Sequence, residues 1–115
     1  MNVKIKIYFT ADDKQFMGIG VYWLLLGIQK YNSIRKAAED MNLSYAKALG
    51  MLNTLEKSLN KKILDRKRGG DSREGTKLTS EGKRLVQLYK EYQEKIKNFA
   101  DIEFEKFKKE YNSLD

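Results

Sequence analysis

The run AAEDMNLSYAKAL, residues 37–49, is helical in composition at both ends and interrupted in the middle. Ala37 to Met41 favours a helix, and so does Tyr45 to Leu49, but Asn42-Leu43-Ser44 stops the pattern and restarts it within three residues. A break this short forces two helices into one tight corner. Asn42 is suited to end the first helix, because after glycine it tolerates the left-handed conformation best. Ser44 is suited to start the second as an N-cap. Ala38, Met41, Asn42, Leu43, Ala48 and Met51 then have the spacing of a helix-turn-helix: Ala38 lets the helices approach, Leu43 plugs the core from the turn, and Ala48 with Met51 anchors the second helix. An ordinary αα-corner that binds nothing shares this geometry, so the flanking sequence must separate the two.

Upstream, Val3, Ile5, Ile7 and Phe9 alternate with Lys4, Lys6 and Tyr8, the period of a half-buried strand over Val3–Phe9. Thr10–Lys14 reads as a turn, QFMGIG as a short returning strand, and Gly18 and Gly20 as the corner beyond it. From Val21 to Tyr31 the apolar positions fall at helical spacing. Tyr22, Trp23 and Leu26 widen the stripe almost all round, which predicts a core helix buried on more than one side. Ser33 caps the next helix and Ser44 the third. Downstream, ILDRKRGGDSREGTKLTS reads as a strand, a basic glycine-containing turn and a returning strand near Thr76–Leu78. Thr79 or Ser80 then caps a helix that runs to about Asn112, with no proline to stop it. The order is β-β-α-α-α-β-β-α in one domain, residues 1–115.

Composition narrows the chemistry. The chain has no histidine and no cysteine, which removes the usual general base, the usual zinc ligands and the cysteine or serine nucleophile systems. No pair of carboxylates stands out for acid–base work, so the expectation is a non-enzyme with neither cofactor nor metal. Lys and Arg outnumber Asp and Glu by 23 to 16, a net charge of +7, which favours a polyanionic partner. The longest apolar run, VYWLLL, is far shorter than the ~20 residues of a membrane span. The N-terminus lacks the long apolar region of a signal peptide. The expected location is the cytoplasm, without a membrane partner.

The hairpin after the third helix strengthens the motif over the plain corner. A helix-turn-helix followed by two strands with a basic tip is a winged helix, whose loop reaches DNA beside the groove. The fold class expected is therefore mainly α with small β: a winged helix-turn-helix with an N-terminal strand or hairpin and a long C-terminal helix. Double-stranded DNA is the expected partner. Arg66, Lys67, Arg68, Arg73 and Lys77 lie in or beside the wing, where Asp71 and Glu74 dilute the charge and favour backbone contact. The glycines there do not make a nucleotide-binding loop, since no Gly-Lys-Ser/Thr ending follows. In the third helix Ser44, Tyr45, Ala46, Lys47 and Gly50 are expected at the exposed N-terminal end. Lys47 suits a guanine edge or a phosphate, Ala46 a thymine methyl, and Tyr45 either DNA contact or packing on the preceding helix. Ser33, Arg35 and Lys36 open the preceding helix and suit the DNA backbone.

These residues carry a resemblance. The elements SI..AA (Ser33–Ala38), SY.KA (Ser44–Ala48), RGG (Arg68–Gly70) and LT..G..L (Leu78–Leu85), with FMGIG and LLLGI upstream, resemble the N-terminal DNA-binding domain of the molybdate-responsive ModE regulators. More distantly, the chain is similar to the LysR-type winged helix. The likeness covers roughly residues 3–92. It departs at Leu49, where that family commonly has Trp, and at Val21, where it commonly has Arg. The resemblance implies a bacterial transcriptional regulator. Family members continue into molybdate-binding domains, whereas this sequence stops at Asp115, so the expectation is a regulator without that sensor.

The last helix adds a second expectation. At ~1.5 Å per residue, residues 80–112 span about 50 Å, more than a head of this size can cover. Leu85, Leu88, Tyr92, Ile96, Phe99, Phe104, Phe107 and Tyr111 give it an apolar face with imperfect heptad spacing. A homodimer follows, through Leu88, Tyr92, Ile96, Phe99, Phe104 and Phe107 with help from Trp23 of the first helix or from the N-terminal strand. It would place recognition helices near the ~34 Å of one DNA turn. The rival to DNA binding is a winged-helix protein-protein interaction module that does not read DNA.

Overall fold

A computed structural model of the chain describes residues 1–66 and 75–113. The elements follow the expected order: β1 (Phe9–Ala11), β2 (Lys14–Met17), α1 (Ile19–Tyr31), α2 (Ile34–Asp40), α3 (Tyr45–Leu59), β3 (Leu64–Arg66), β4 (Thr76–Leu78) and α4 (Ser80–Asn112). Each sheet is a two-stranded antiparallel hairpin, β1 with β2 and β3 with β4. This is a winged helix-turn-helix with an N-terminal hairpin.

The helix ends explain why the head is so tightly turned. Asn32, Asn42 and Asn60, which follow α1, α2 and α3, all have positive φ, at 53°, 56° and 51°. After α2 the Leu43 N–H donates to the Ala38 carbonyl at 2.9 Å and the Asn42 N–H to the Glu39 carbonyl at 3.0 Å. That is the paired Schellman closure. It recurs after α3, where Lys61 N–H reaches Glu56 O and Asn60 N–H reaches Lys57 O, both at 3.2 Å. Ser33, Ser44 and Thr79 cap the starts of α2, α3 and α4 by accepting from Lys36, Lys47 and Gly82 N–H. Side-chain caps of this kind contribute about 1 kcal/mol each.

The core lies between α1, α2, α3, the wing strands and the first turns of α4. Met17, Leu24, Leu25, Ile28, Leu52 and Leu55 are fully buried in it. Gly27 permits a close approach of α1 and α2, since a Cβ there would stand 2.8 Å from the Ala37 Cβ. Ala38, which the sequence places at the approach of the two helices of the corner, is buried as well. The Glu56 carboxylate accepts from the N–H groups of Ile63 (2.8 Å) and Leu64 (3.1 Å), and so sets where β3 leaves α3.

Two expectations are corrected and one is bounded. The strand expected over Val3–Phe9 starts only at Phe9 and continues through Ala11. The turn is Asp12-Asp13, both at positive φ, the two-residue form that matches strand twist. Residues 1–8 lie in no ladder, because among the described residues no second strand runs beside them; the Tyr89 hydroxyl holds them by donating to the Ile7 carbonyl at 3.0 Å. Second, α1 is packed on more than one side, by α2, α3, α4, β2 and β4, as its wide apolar stripe predicts, but one edge stays out: Trp23 is 55% exposed and Leu26 36%. Third, α4 meets the head through Gly82, Val86 and Tyr89, beside the apolar face read from its sequence.

Candidate nucleic-acid interface

The corner delivers α3 with its first turn uncovered. Ala48 and Leu52 face the core, Leu43 and Met51 are half-buried against it, and Ala46, Lys47 and Gly50 are exposed. A Cβ on Gly50 would meet nothing within 4 Å, so this glycine is not demanded by packing. Glycine inside a helix costs roughly 0.5–1 kcal/mol relative to alanine, and here the fold gains no contact in return. The outward row runs Ala46, Gly50, Asn53, Lys57, at successive spacings of four, three and four, and all four are exposed. Asn53 and Lys57 were missed in the sequence reading, although that spacing from Ala46 would have found them.

Charge on this face has one sign. From Tyr45 to Leu55 α3 holds one lysine and no acidic residue, and neither α2 nor α3 has an acid in its first turn. Helix N-termini carry partial positive charge from unpaired N–H groups, so omitting carboxylates there leaves the field open to an external anion. Arg35 and Lys36 are exposed in the first turn of α2. The Arg35 guanidinium lies over the Tyr45 ring, 4.7 Å from its centroid, while Tyr45 stays 39% exposed. Tyr45 therefore does pack on the preceding helix, through a cation on that helix's surface.

The base of the wing is fastened to the same corner. Gly75 has φ +58°, and a Cβ there would run into the Asn32 carbonyl oxygen. The adjacent Thr76 N–H donates to that oxygen at 3.0 Å. Asn32 immediately precedes Ser33, the cap of α2, so strand β4 and the start of the helix-turn-helix share one attachment. Arg66 pairs across the hairpin with Thr76, and Lys77 with Asp65; both cations are exposed. Lys67, Arg68 and Arg73 lie outside the described residues.

Along α4, Leu88, Tyr92, Phe99 and Phe107 are between 46% and 63% exposed, and Ile96 36%. Phe104 is half-buried within a row of rings, 6.3 Å from Phe107. Ile102, 58% exposed, joins this surface and was not anticipated. Among the described residues no helix is long and apolar enough to cross a membrane.

Comparison with known proteins agrees with this architecture. Residues 24–83 match the model of the bacterial regulatory helix-turn-helix proteins of the lysR family. Those residues run from α1 through the wing into the first turn of α4. The chain is also 39% identical over 88 residues to the transcriptional regulator ModE of Haemophilus influenzae, an alignment covering 76% of this chain and 34% of that relative. The matched family spans the corner, α3 and the wing strands together, and the chain belongs to it: the lysR family of bacterial regulatory helix-turn-helix proteins, which are DNA-binding transcriptional regulators.

Proposed function

We propose that the chain binds double-stranded DNA in a sequence-specific way as a ModE-type transcriptional regulator, with α3 entering the major groove. The observation that carries this reading is the uncovered, acid-free N-terminal half of α3, held outward by the Asn42–Ser44 corner. Lys47 meets a guanine edge or phosphate, Ala46 and Asn53 lie against base edges, and Gly50 lets the helix seat closely. Ser33, Arg35, Lys36 and Ser44 hold the DNA backbone on one side of the groove, and Arg66, Lys77 and the cations of the wing tip hold it on the other.

The second element of the reading is a homodimer. Leu88, Tyr92, Ile96, Phe99, Phe104 and Phe107, with Trp23, would be covered by a second copy, which supplies the two-fold symmetry that matches a palindromic site. Ultracentrifugation at micromolar concentration measures this directly; a single 13.5 kDa species would end the dimer reading.

Titration of a labelled duplex across a salt series tests the DNA reading. Affinity is expected to fall steeply with salt, and Lys47→Ala is expected to weaken binding and flatten the slope by about one. Binding indifferent to both salt and Lys47 would favour the protein-interaction module instead.

A further inference from the structure

We infer that Tyr45 works as a positioning residue for Arg35, and that the pair forms one cross-helix clamp for a DNA phosphate. This inference rests on the DNA-binding reading above and assigns a role within it. Tyr45 is the first residue of α3 and Arg35 the second of α2, so the stack at 4.7 Å bridges the two helices at the mouth of the corner. Three features give the pair this role. A guanidinium in the first turn of a helix sits against that helix's positive end, a placement that is unfavourable unless something else holds it. Among the described residues Arg35 makes no ion pair, and no acidic residue stands in either first turn to take one; the aromatic face is its partner. A guanidinium that lies over a ring and makes no hydrogen bond among the described residues keeps its N–H donors for a phosphate, which it can engage in two places.

The stack also limits what Tyr45 can do. One face of its ring is occupied, and its hydroxyl makes no hydrogen bond among the described residues. A tyrosine that read a base would use its edge or hydroxyl and would impose a preference at one base pair. A tyrosine that holds an arginine on a phosphate imposes none, and its loss weakens binding to every sequence alike.

Three single variants and one double variant on the full chain test this, read by duplex binding over a salt series and by selection from randomised duplexes. Arg35→Ala is expected to reduce the salt slope by about one. Tyr45→Leu removes the ring and is expected to weaken binding roughly two- to fivefold, the range of an exposed cation–π contact. Tyr45→Phe keeps the ring and should bind like the wild type. The double variant Arg35→Ala with Tyr45→Leu should be no weaker than Arg35→Ala alone, and the selected sequences should be the same for all. Additive losses, or a base preference that shifts with Tyr45→Leu and not with Arg35→Ala, would overturn the clamp while leaving DNA binding intact. Wild-type chain without salt-dependent duplex binding would remove both the DNA reading and the clamp. Thermal melts of each variant separate loss of binding from loss of fold.

Discussion

The first three turns of α4 and its last three belong to one unbroken helix, yet they are stabilised differently. Near its start Gly82, Val86 and Tyr89 are buried, and the Tyr89 ring meets Phe9 edge-on at 5.6 Å and Tyr22 at 5.3 Å. Near its end Phe107 and Tyr111 are more than 60% exposed, and the rings of Phe104, Phe107 and Tyr111 contact one another along the helix. The polar surface of the far half is laced by the pairs Lys97–Asp101 (3.3 Å), Lys106–Glu103 (3.5 Å) and Lys108–Glu105 (2.8 Å). Exposed pairs at this spacing contribute only a few tenths of a kcal/mol each. The near half is thus held by tertiary packing, and the far half by local propensity until something covers its apolar face. Helical sequence alone does not distinguish the halves; what each side chain touches does.

The largest expected effect is at the packed end. A Cβ on Gly82 would collide with the Ile63 carbonyl oxygen and crowd Leu78, whose Cβ would be 3.2 Å away. Backbone cannot swing aside as a flexible side chain can. Gly82→Ala, which raises intrinsic helix propensity, is therefore expected to destabilise the chain by roughly 3 kcal/mol. Urea denaturation reads this directly, and an unchanged or raised midpoint would show that α4 does not dock where the structure puts it.

A smaller effect tests the hydroxyl that ties the N-terminal segment to the same docking point. Removing it in Tyr89→Phe is expected to cost about 1 kcal/mol through the lost bond to Ile7. Burial of the phenol raises its pKa above the ordinary tyrosine value, and the neighbouring Tyr22 adds to the shift. A folded-state pKa above the unfolded one means that the neutral phenol is favoured in the fold. Its contribution is fully present below about pH 10 and is lost as pH rises through the folded value. Melting midpoints should accordingly fall at alkaline pH less steeply for Tyr89→Phe than for the wild type; parallel pH profiles would contradict a buried, neutral Tyr89.

The caps at Ser33, Ser44 and Thr79 were legible in sequence because a cap is a local contract between one side chain and a backbone three residues away. The same holds for the Asn42 corner and for the order of all eight elements. Tyr89 and Val86 were not legible as core residues, because Leu85, Leu88 and Tyr92 offer an equally regular stripe and only the docked head chooses between them. The strand misplaced at Val3–Phe9 failed for a related reason: alternation predicts a strand only where another strand arrives, and the Asp12-Asp13 turn brings β2 to residues 9–11. Asn32 and Gly75, 43 positions apart, meet at the foot of the wing, a contact no local pattern announces. On the outward row of α3, Ala46 and Gly50 stand close to the cap that announces the helix, whereas Asn53 and Lys57 lie one and two turns further on, where no cap or turn marks them.

The smallest expected effect lies at the uncovered end, and its size depends on concentration. Phe107 is 62% exposed and touches the rings of its own helix, so in dilute solution Phe107→Ala removes little that folding had buried. A change within about 0.5 kcal/mol is expected there, the usual range for surface substitutions. A second copy on this face alters the arithmetic, because association stabilises by mass action and raises the melting midpoint with concentration. The wild-type midpoint should then climb from low to high micromolar chain, while Phe107→Ala climbs less, and the two curves should converge on dilution. Gly82→Ala should instead remain separated from the wild type at every concentration, since its collision is within one chain. Curves for Phe107→Ala and wild type that run together throughout would mean that Phe107 lies outside any pairing surface of α4.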